Sequence, residues 1–401
     1  MKRLGLAWAT ALALATPLAA ATITVERGSD LQAVIDHARD GDTLYLGAKT
    51  FEAHRTTLVD SLCGNCEDPQ TDSRTTRGFV IRGKGLVLIG TSRHETVLVT
   101  HAGYGVYFED AGHSELHNLT ITGGVRSDDG NATDAAVVVR RSRVTIDGIT
   151  IRDNNKRAED TSVVVGIAGV VGREGAEIAL SNSSILSGGW DGVALYRGAH
   201  AVISDCVIEG GRGAGIGVTW DAECIALRNE ISGYWKGLGS FGTSSVIARN
   251  NLIHDNLGWG LIATGQSTME ATNNVIYHNG NCGFAPWSNE ARGRFINNIV
   301  AENGWRDEWV CPCVGVCNYG DWAKWVFRCN IVWHNDAGQY QGIWDQTDIN
   351  GNLEVDPLFV GDGNYHLRAD SPALHAGDST IFNLDGTRSD IGLYGGPRVG
   401  Q

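Results

Sequence analysis

Between His117 and Trp333 one phrase recurs nine times, a polar pair rich in Asn and Asp that runs into a β-branched strand. Its copies are His117-Asn-Leu-Thr-Ile121, Asp147-Gly-Ile-Thr-Ile151, Asn182-Ser-Ser-Ile185, Asp205-Cys-Val-Ile208, Asn229-Glu-Ile231, Asn250-Asn-Leu-Ile253, Asn273-Asn-Val-Ile276, Asn297-Asn-Ile-Val300 and Cys329-Asn-Ile-Val332. Consecutive closing aliphatics lie 30, 34, 23, 23, 22, 23, 24 and 32 residues apart. One such unit cannot bury its apolar face alone, so a near-constant period with insertions in three units requires a stacked solenoid.

The unit contains no helix-length apolar stripe; it is built of short strands rich in Val and Ile, separated by Gly and Asn. It is therefore a β-coil. Leucine-rich repeats have a similar length but need Leu at fixed offsets, where this chain has Ile, Val and paired Asn. Stacked Asn side chains can hydrogen-bond from coil to coil, and the 53 glycines suit the bends between strands.

On these residues the chain resembles the right-handed parallel β-helix proteins, the superfamily of pectate lyases, alginate and chondroitin lyases and mannuronan epimerases. The resemblance implies an all-β solenoid of about ten or eleven coils, a rod on the order of 50 Å long at roughly 4.8 Å per coil. The segment Ile23 to Leu46 is similar to that family's N-terminal cap, and the physics agrees. Ser29 or Asp30 can cap a helix with the apolar face Leu31, Val34, Ile35 and Ala38, stopped by Gly41, which plugs the open core. Val355 to Val360, Tyr365 to Leu374 and Asp385 to Tyr394 are similar to its closing segments. The expected organisation is a signal peptide at 1–21, a cap and first coil at 22–50, the β-helix at 51–354 with Cys-containing insertions near 60–77 and 301–325, and a closing segment at 355–401.

Lys2 and Arg3 ahead of the apolar run Leu4 to Leu14, with Ala19-Ala20-Ala21 for cleavage, read as an export signal, so a secreted or periplasmic and monomeric protein is expected. No later run of 18 or more apolar residues argues for a membrane span. Loss of Lys2 and Arg3 takes the formal charge from −14 to −16, which repels nucleic acid. A polyanionic glycan would need a basic groove or bound Ca²⁺, the candidate cofactor. The basic concentration is Arg126, Arg140, Arg141, Arg143, Arg152, Lys156, Arg157 and Arg173, set against seven acids in the same span.

Eight of the nine cysteines sort by context. Cys206, Cys224 and Cys329, inside strand phrases, read as small core residues. Cys63-Gly-Asn-Cys66 and Cys311-Pro-Cys313-Val-Gly-Val-Cys317 lie in the insertions, where they either pin loops as disulfides or supply thiolates to Zn²⁺ or Cu⁺. His254, His278 and His334 follow closing aliphatics and read as turn residues, as do His94, His101, His113 and His117 in the early coils.

After the export signal every tryptophan falls between Trp190 and Trp344. Trp190, Trp220, Trp235, Trp259 and Trp287 recur beside one strand of the unit, where indole faces can stack on sugar rings or pack beneath the long second insertion. Aligned from the closing aliphatics, Arg173 and Glu174, Tyr196 and Arg197, Trp220 and Asp221, Phe241, Thr264 and Gln266, then Ser288, Asn289 and Glu290 form a column resembling a substrate groove. In uronate lyases and epimerases a base removes the C5 proton while a cation neutralises the carboxylate. The resemblance implies catalytic roles for Tyr196, Arg197, His200 and Lys236, substrate contacts from the five tryptophans and Arg173, and Ca²⁺ ligands or a hydrolytic carboxylate pair among Asp191, Asp221 and Glu223. The chain carries no Asn-Thr-Asp, Gly-His-Gly, Arg-Ile-Lys, Asp-Pro-His-Glu or Arg-x-Pro-x-x-Arg phrase, so no subfamily follows. The expected function is lyase or C5-epimerase chemistry on an extracellular uronic-acid polymer; the alternative is a non-catalytic rod that binds carbohydrate or metal.

Overall fold

The computed structural model describes residues 20–26, 28–154, 156–157 (backbone only), 166–186, 188–307 and 311–397. Nearly all of the expected export signal, and the side chains of Lys156 and Arg157, lie outside that range. Three long sheets run the length of a rod. The first, of 12 strands, extends from Thr22–Val25 to Trp325–Arg328, and the second, of 11, from Thr50–Glu52 to Ile331–Trp333. The third, of 12, extends from Thr56–Asp60 to Tyr340–Gln341. A typical coil passes from His200–Ser204 in the first sheet through Val207–Glu209 in the second to Ala214–Val218 in the third, then rejoins the first at Glu223–Leu227. Within these three sheets pairing is parallel except where Thr56–Asp60 runs antiparallel to Ser73–Arg82 at one edge of the third.

The repeat seen in the sequence is the register of the second sheet. Ile121, Ile151, Ile185, Ile208, Ile231, Ile253, Ile276, Val300 and Val332 pair in a single column. All are buried in the core that runs from the N-terminal helix to Phe327. Entry into each of these strands from the first sheet is a tight corner in the left-handed region, with φ between 48° and 58° at Asn182, Asp205, Arg228, Asn250, Asn273, Asn297 and Cys329. Asn and Asp tolerate that conformation better than other side chains, which explains the polar first letter of the phrase. Cys329 and Cys206 therefore lie at corners between strands and only Cys224 lies within one, although all three are buried as expected.

The second letter points inward. Each of Asn229, Asn251, Asn274, Asn298 and Asn330 donates its backbone N–H and its Nδ2 to the Oδ1 of the Asn one coil on, ending at Asn352, over 2.9–3.2 Å. A second buried ladder, Asn256, Asn279, Asn303 and Asn335, lines the opposite corner and ends on Gln339. His278 and His334 occupy the left-handed positions that precede it.

Helix Leu31–His37 closes the first end. Asp30 is its N-cap and accepts from Gln32 and Ala33 N–H, while Leu31 and Ile35 plug the core. Residues 353–397 turn back over the outer face of the second sheet, where Ala373 and Ile391 pack on Leu252, Val275, Ile299 and Ile331. The corner asparagines Asn250 and Asn273 donate to Leu393, Gly395 and Asp390 carbonyls, and Asn297 accepts the Asp378 N–H. With the second sheet's outer face covered along its later coils, the third sheet's face is where loops, charges and tryptophans collect.

Candidate functional site

The outer face of the third sheet carries a central column in register, Tyr107, Val138, Val171, Ala194, Gly217, Gly239, Ile262 and Ala285. Side-chain size falls to nothing at its middle. A Cβ at Gly217 would make ordinary contact with Ala214 Cβ at 3.4 Å, whereas one at Gly239 would strike the Phe241 ring that lies over it. Two adjacent glycines therefore make a dip in the column, filled over Gly239 by the Phe241 ring, between larger residues on either side.

One wall is a strap, residues 61–72, closed on itself by the Cys63–Cys66 disulfide. Arginines from successive coils hold it down. Arg140 and Arg173 meet Asp60 at 3.0 and 3.1 Å, Arg173 donates to the Leu62 carbonyl, and Arg197 donates to the Cys66 and Glu67 carbonyls. Glu174 takes Nε of Arg173 at 2.6 Å and lies 3.3 Å from that of Arg140. Beneath the strap a cleft of about 510 Å³ is lined by Cys66, Arg126, Thr133, Asp134, Trp190 and Tyr196 among others. Asp134 accepts from Thr75 and Ser127, and burial pushes its carboxyl up despite those donors.

Next to Trp190 of this cleft, Asp191 and Lys236 act on each other through their charges. Asp191 is buried and accepts the Ala214 N–H at 2.6 Å; burial pushes its carboxyl up to about 6, against the pull of that N–H and of Lys236. Burial in turn holds the Lys236 ammonium below its usual range, with Asp191 opposing. Its Nζ lies 5.8 Å from the Trp259 ring and 5.9 Å from the Phe241 ring. Burial and the Asp191 charge raise the Tyr196 hydroxyl, with Arg173 and Arg126 opposing. Asp191 thus couples electrostatically to a half-buried amine and to a buried phenol, all three with displaced proton affinities, an arrangement suited to proton transfer.

The other wall is aromatic. Trp235, Trp259 and Trp287 meet edge to face at 6.1 and 5.6 Å, and the Arg306 guanidinium lies 5.0 Å from the Trp235 ring. Trp259 is buried, Trp235 and Trp287 are half-buried, and the second insertion packs on all three through Cys311, Val314 and Cys317. Packing beneath the insertion thus holds for Trp235, Trp259 and Trp287, while Trp190 lines the cleft and Trp220 packs on the cluster that contains Tyr196.

Several expected site residues fall elsewhere. Arg173 is wholly buried and engaged by Asp60, Glu174, Tyr104 and Thr133, so it is a core cation and not a surface contact for substrate. Arg197 is spent on the strap carbonyls and stacks 4.4 Å from the Trp220 ring. His200 and Glu223 pair with each other at 3.2 Å on the exposed face of the first sheet, away from the cleft. Asp221 is exposed and caps the Gly198 N–H at 2.9 Å. Asp191, Asp221 and Glu223 are therefore not brought together as ligands; among the described residues the group close enough to hold an ion is cysteine. The expected column also slips by one residue. Tyr196 is level with Thr219 and Phe241, whose N–H groups bond successive coils, while Trp220 follows Arg197 into a left-handed corner, φ 63° and 38°. Asp60, Arg126, Asp134 and Cys282 are site residues that the repeat did not reveal; only Arg126 carried a signal, as the first cation of the basic run.

No helix among the described residues is long and apolar enough to cross a membrane. Residues 166–332 match a family model described as right handed beta helix region. No curated protein matches the sequence. Among solved structures, the chain is similar to pectate lyase Pel9A, at 13% identity and a TM-score of 0.49 over 91% of this chain and 90% of that one. It is also similar to the A-module of Azotobacter vinelandii mannuronan C-5 epimerase AlgE4, at 15% identity and a TM-score of 0.44 over 81% and 89%. The periplasmic alginate epimerase AlgG aligns at 11% identity and a TM-score of 0.39 over 83% of each chain.

Proposed function

We propose that this right-handed parallel β-helix protein is exported and binds an acidic polysaccharide across the outer face of its third sheet, processing it by removal of the proton next to a carboxylate. The observation that carries this reading is the set of proton-transfer groups Asp191, Lys236 and Tyr196 beside the cleft, between an arginine-held strap and a tryptophan wall. A sugar ring held between the cleft and the aromatic wall can lay its CH face on the indoles and keep its hydroxyls wet. Arg126, for which no ion pair forms among the described residues, supplies the positive charge for the uronate carboxylate. Lys236, with its ammonium destabilised by burial, yields the neutral amine that takes the C5 proton, and the electron pair moves into the carboxylate as an enolate. Tyr196 returns a proton. Delivered to the departing C4 oxygen, it completes β-elimination; delivered to C5 from the opposite face, it completes epimerisation.

The test is a panel of acidic and neutral polysaccharides, with and without Ca²⁺, followed by unsaturated-uronate absorbance, reducing ends and proton exchange at C5. Lys236→Met should lower turnover at least about 100-fold with thermal stability held, the scale of lost general-base catalysis. Equal turnover in Lys236→Met and wild type would remove Lys236 from the chemistry. A binding rod without catalysis is the second reading, favoured by Arg140, Arg173 and Arg197 being already neutralised or bound within the protein. Retained glycan affinity with no product and no C5 exchange on any polymer would select it.

A further inference from the structure

The second insertion brings together three cysteines from separate parts of the chain. Cys282 precedes the third-sheet strand Phe284–Pro286, Cys317 ends the next coil's strand Val316–Cys317, and Cys311 arrives from the insertion itself. Their sulfurs all lie within 4.8 Å of one another, and the three residues are at most 1% exposed. Cys282 and Cys317 are joined as a disulfide, and Cys311 stands against it outside either disulfide. The surroundings are apolar, formed by Trp259, Ile262, Ala285 and Val314. Cys313 takes no part: its thiol donates to the Arg306 carbonyl at 2.8 Å. The trio contains no carboxylate or imidazole, so its donor set is purely soft.

We propose that Cys282, Cys311 and Cys317 form a three-thiolate site for a soft d¹⁰ cation, Cu⁺ or Zn²⁺, of which the Cys282–Cys317 disulfide is the oxidised, ion-free state. Three sulfurs about 2.3 Å from such an ion stand roughly 3.8–4.0 Å apart, a spacing the trio reaches by side-chain rotation once the disulfide opens. The interconversion balances with a dithiol reductant. It gives two electrons and two protons to the Cys282–Cys317 bond, which breaks to two thiols, and leaves as its own cyclic disulfide. The ion then displaces three thiol protons and binds three thiolates. In the oxidised state the disulfide joins two neighbouring coils; in the loaded state the ion also ties the insertion to them through Cys311, against the tryptophan wall. The site is independent of the polysaccharide reading, since it asks nothing of Lys236 or Arg126.

The experiment uses the whole protein, reduced with dithiothreitol and desalted without oxygen, then titrated with Cu⁺ or with Zn²⁺ against a competing chelator. Stoichiometry is read by native mass spectrometry and indole fluorescence by emission. One equivalent per chain is expected, with quenching from the adjacent Trp259. Cys311→Ser should weaken binding at least about 100-fold and Cys313→Ser less than about threefold, because only the former removes a ligand. Which of the two ions binds more tightly assigns the occupant. Failure of either ion to bind stoichiometrically, equal binding by Cys311→Ser and wild type, or a Cys282–Cys317 bond that resists reduction while the fold persists would each overturn the proposal. Circular dichroism on each variant separates loss of the site from loss of the fold.

Discussion

Asp191 shows how one side chain couples stability to chemistry. Its carboxyl is raised from an ordinary 3.8 to about 6 because burial penalises the ionised form more than Ala214 N–H and Lys236 relieve it. The neutral acid therefore suits the fold and the carboxylate costs free energy. That contribution is complete below about pH 4 and lost as pH rises through about 6. Asn at this position keeps an acceptor for Ala214 and never ionises. Relative to its difference from wild type at pH 4, Asp191→Asn should gain about 1–3 kcal/mol of stability at pH 8, read from urea midpoints at both values. A pH-independent difference would mean that the carboxylate is solvated or fully compensated by Lys236. The same substitution removes the charge that opposes Lys236's loss of its proton, so any turnover should shift toward lower pH. These properties were legible only in part. Asp191, Tyr196 and Lys236 stood out in the sequence as chemistry-bearing residues beside glycine and tryptophan, yet no spacing said that Asp191 faces Lys236 while His200 and Glu223 face solvent on another sheet. Strand alternation decides this, and a slip of one residue turns a side chain to the opposite face, as the corner at Trp220 shows.

The ladders and the strap are elements of opposite legibility. Each ladder asparagine repeats because its buried amide satisfies the coil before it, so the chemistry imprints itself on the sequence at the repeat spacing. At the centre, Asn298 accepts from Asn274 N–H and Nδ2 and donates to Ala271, Ile296 and Asn330. Asn298→Ala strands the Asn274 N–H in the core and removes one acceptor of its Nδ2, which keeps the Ala248 and Thr272 carbonyls, and should cost about 1–3 kcal/mol in chemical denaturation, the penalty of an unsatisfied buried polar group. A loss below a few tenths would mean that water enters the corner. The strap repeats nothing. Its anchor, Asp60, meets Arg140 and Arg173 across wide stretches of chain, and such a pair leaves no periodic trace. The one cue was that cysteines interrupt the coil pattern there, and even that cue failed at Cys282, which shares no motif with Cys311 and Cys317 yet contacts both. Arg173→Met removes the cation between Asp60, Glu174, Thr133 and the Leu62 carbonyl, leaving two buried carboxylates to share Arg140. It should destabilise by about 3–5 kcal/mol, and limited proteolysis should then cut within 61–72 before any coil is attacked. Cleavage spread along the rod would show that the arginine supports the solenoid itself rather than its strap.

At the scale of the whole rod, each coil touches only its neighbours, so stability is a chain of nearest-neighbour terms closed at both ends. The sequence announced the first closure through the spacing of Leu31, Ile35 and Ala38. It indicated that the last segment closes the helix, but not that it runs back along the second sheet, because its contacts are backbone carbonyls meeting corner asparagines. Asn250, Asn273 and Asn297 thus do two things at once: their φ makes the corner, and their amides hold the tail. The covering is local, spanning the coils from Leu252 to Ile331. A protein ending at residue 354 should keep its N-terminal coils and lose protection where the tail lay. Hydrogen exchange should remain slow at Val97–Val99 and Thr120–Thr122 and accelerate at Leu252–His254, Val275–Tyr277 and Ile299–Ala301, strands of the same sheet that differ in being covered. The uncovered strands expose Val275 and Ile299, so self-association through that face should accompany the change. Uniform acceleration from end to end would refute the nearest-neighbour picture, since it requires the tail to be part of a single cooperative unit. Local acceleration would also separate the tail from the candidate site, because the cleft and the tryptophan wall lie on the third sheet and should bind their ligand unchanged.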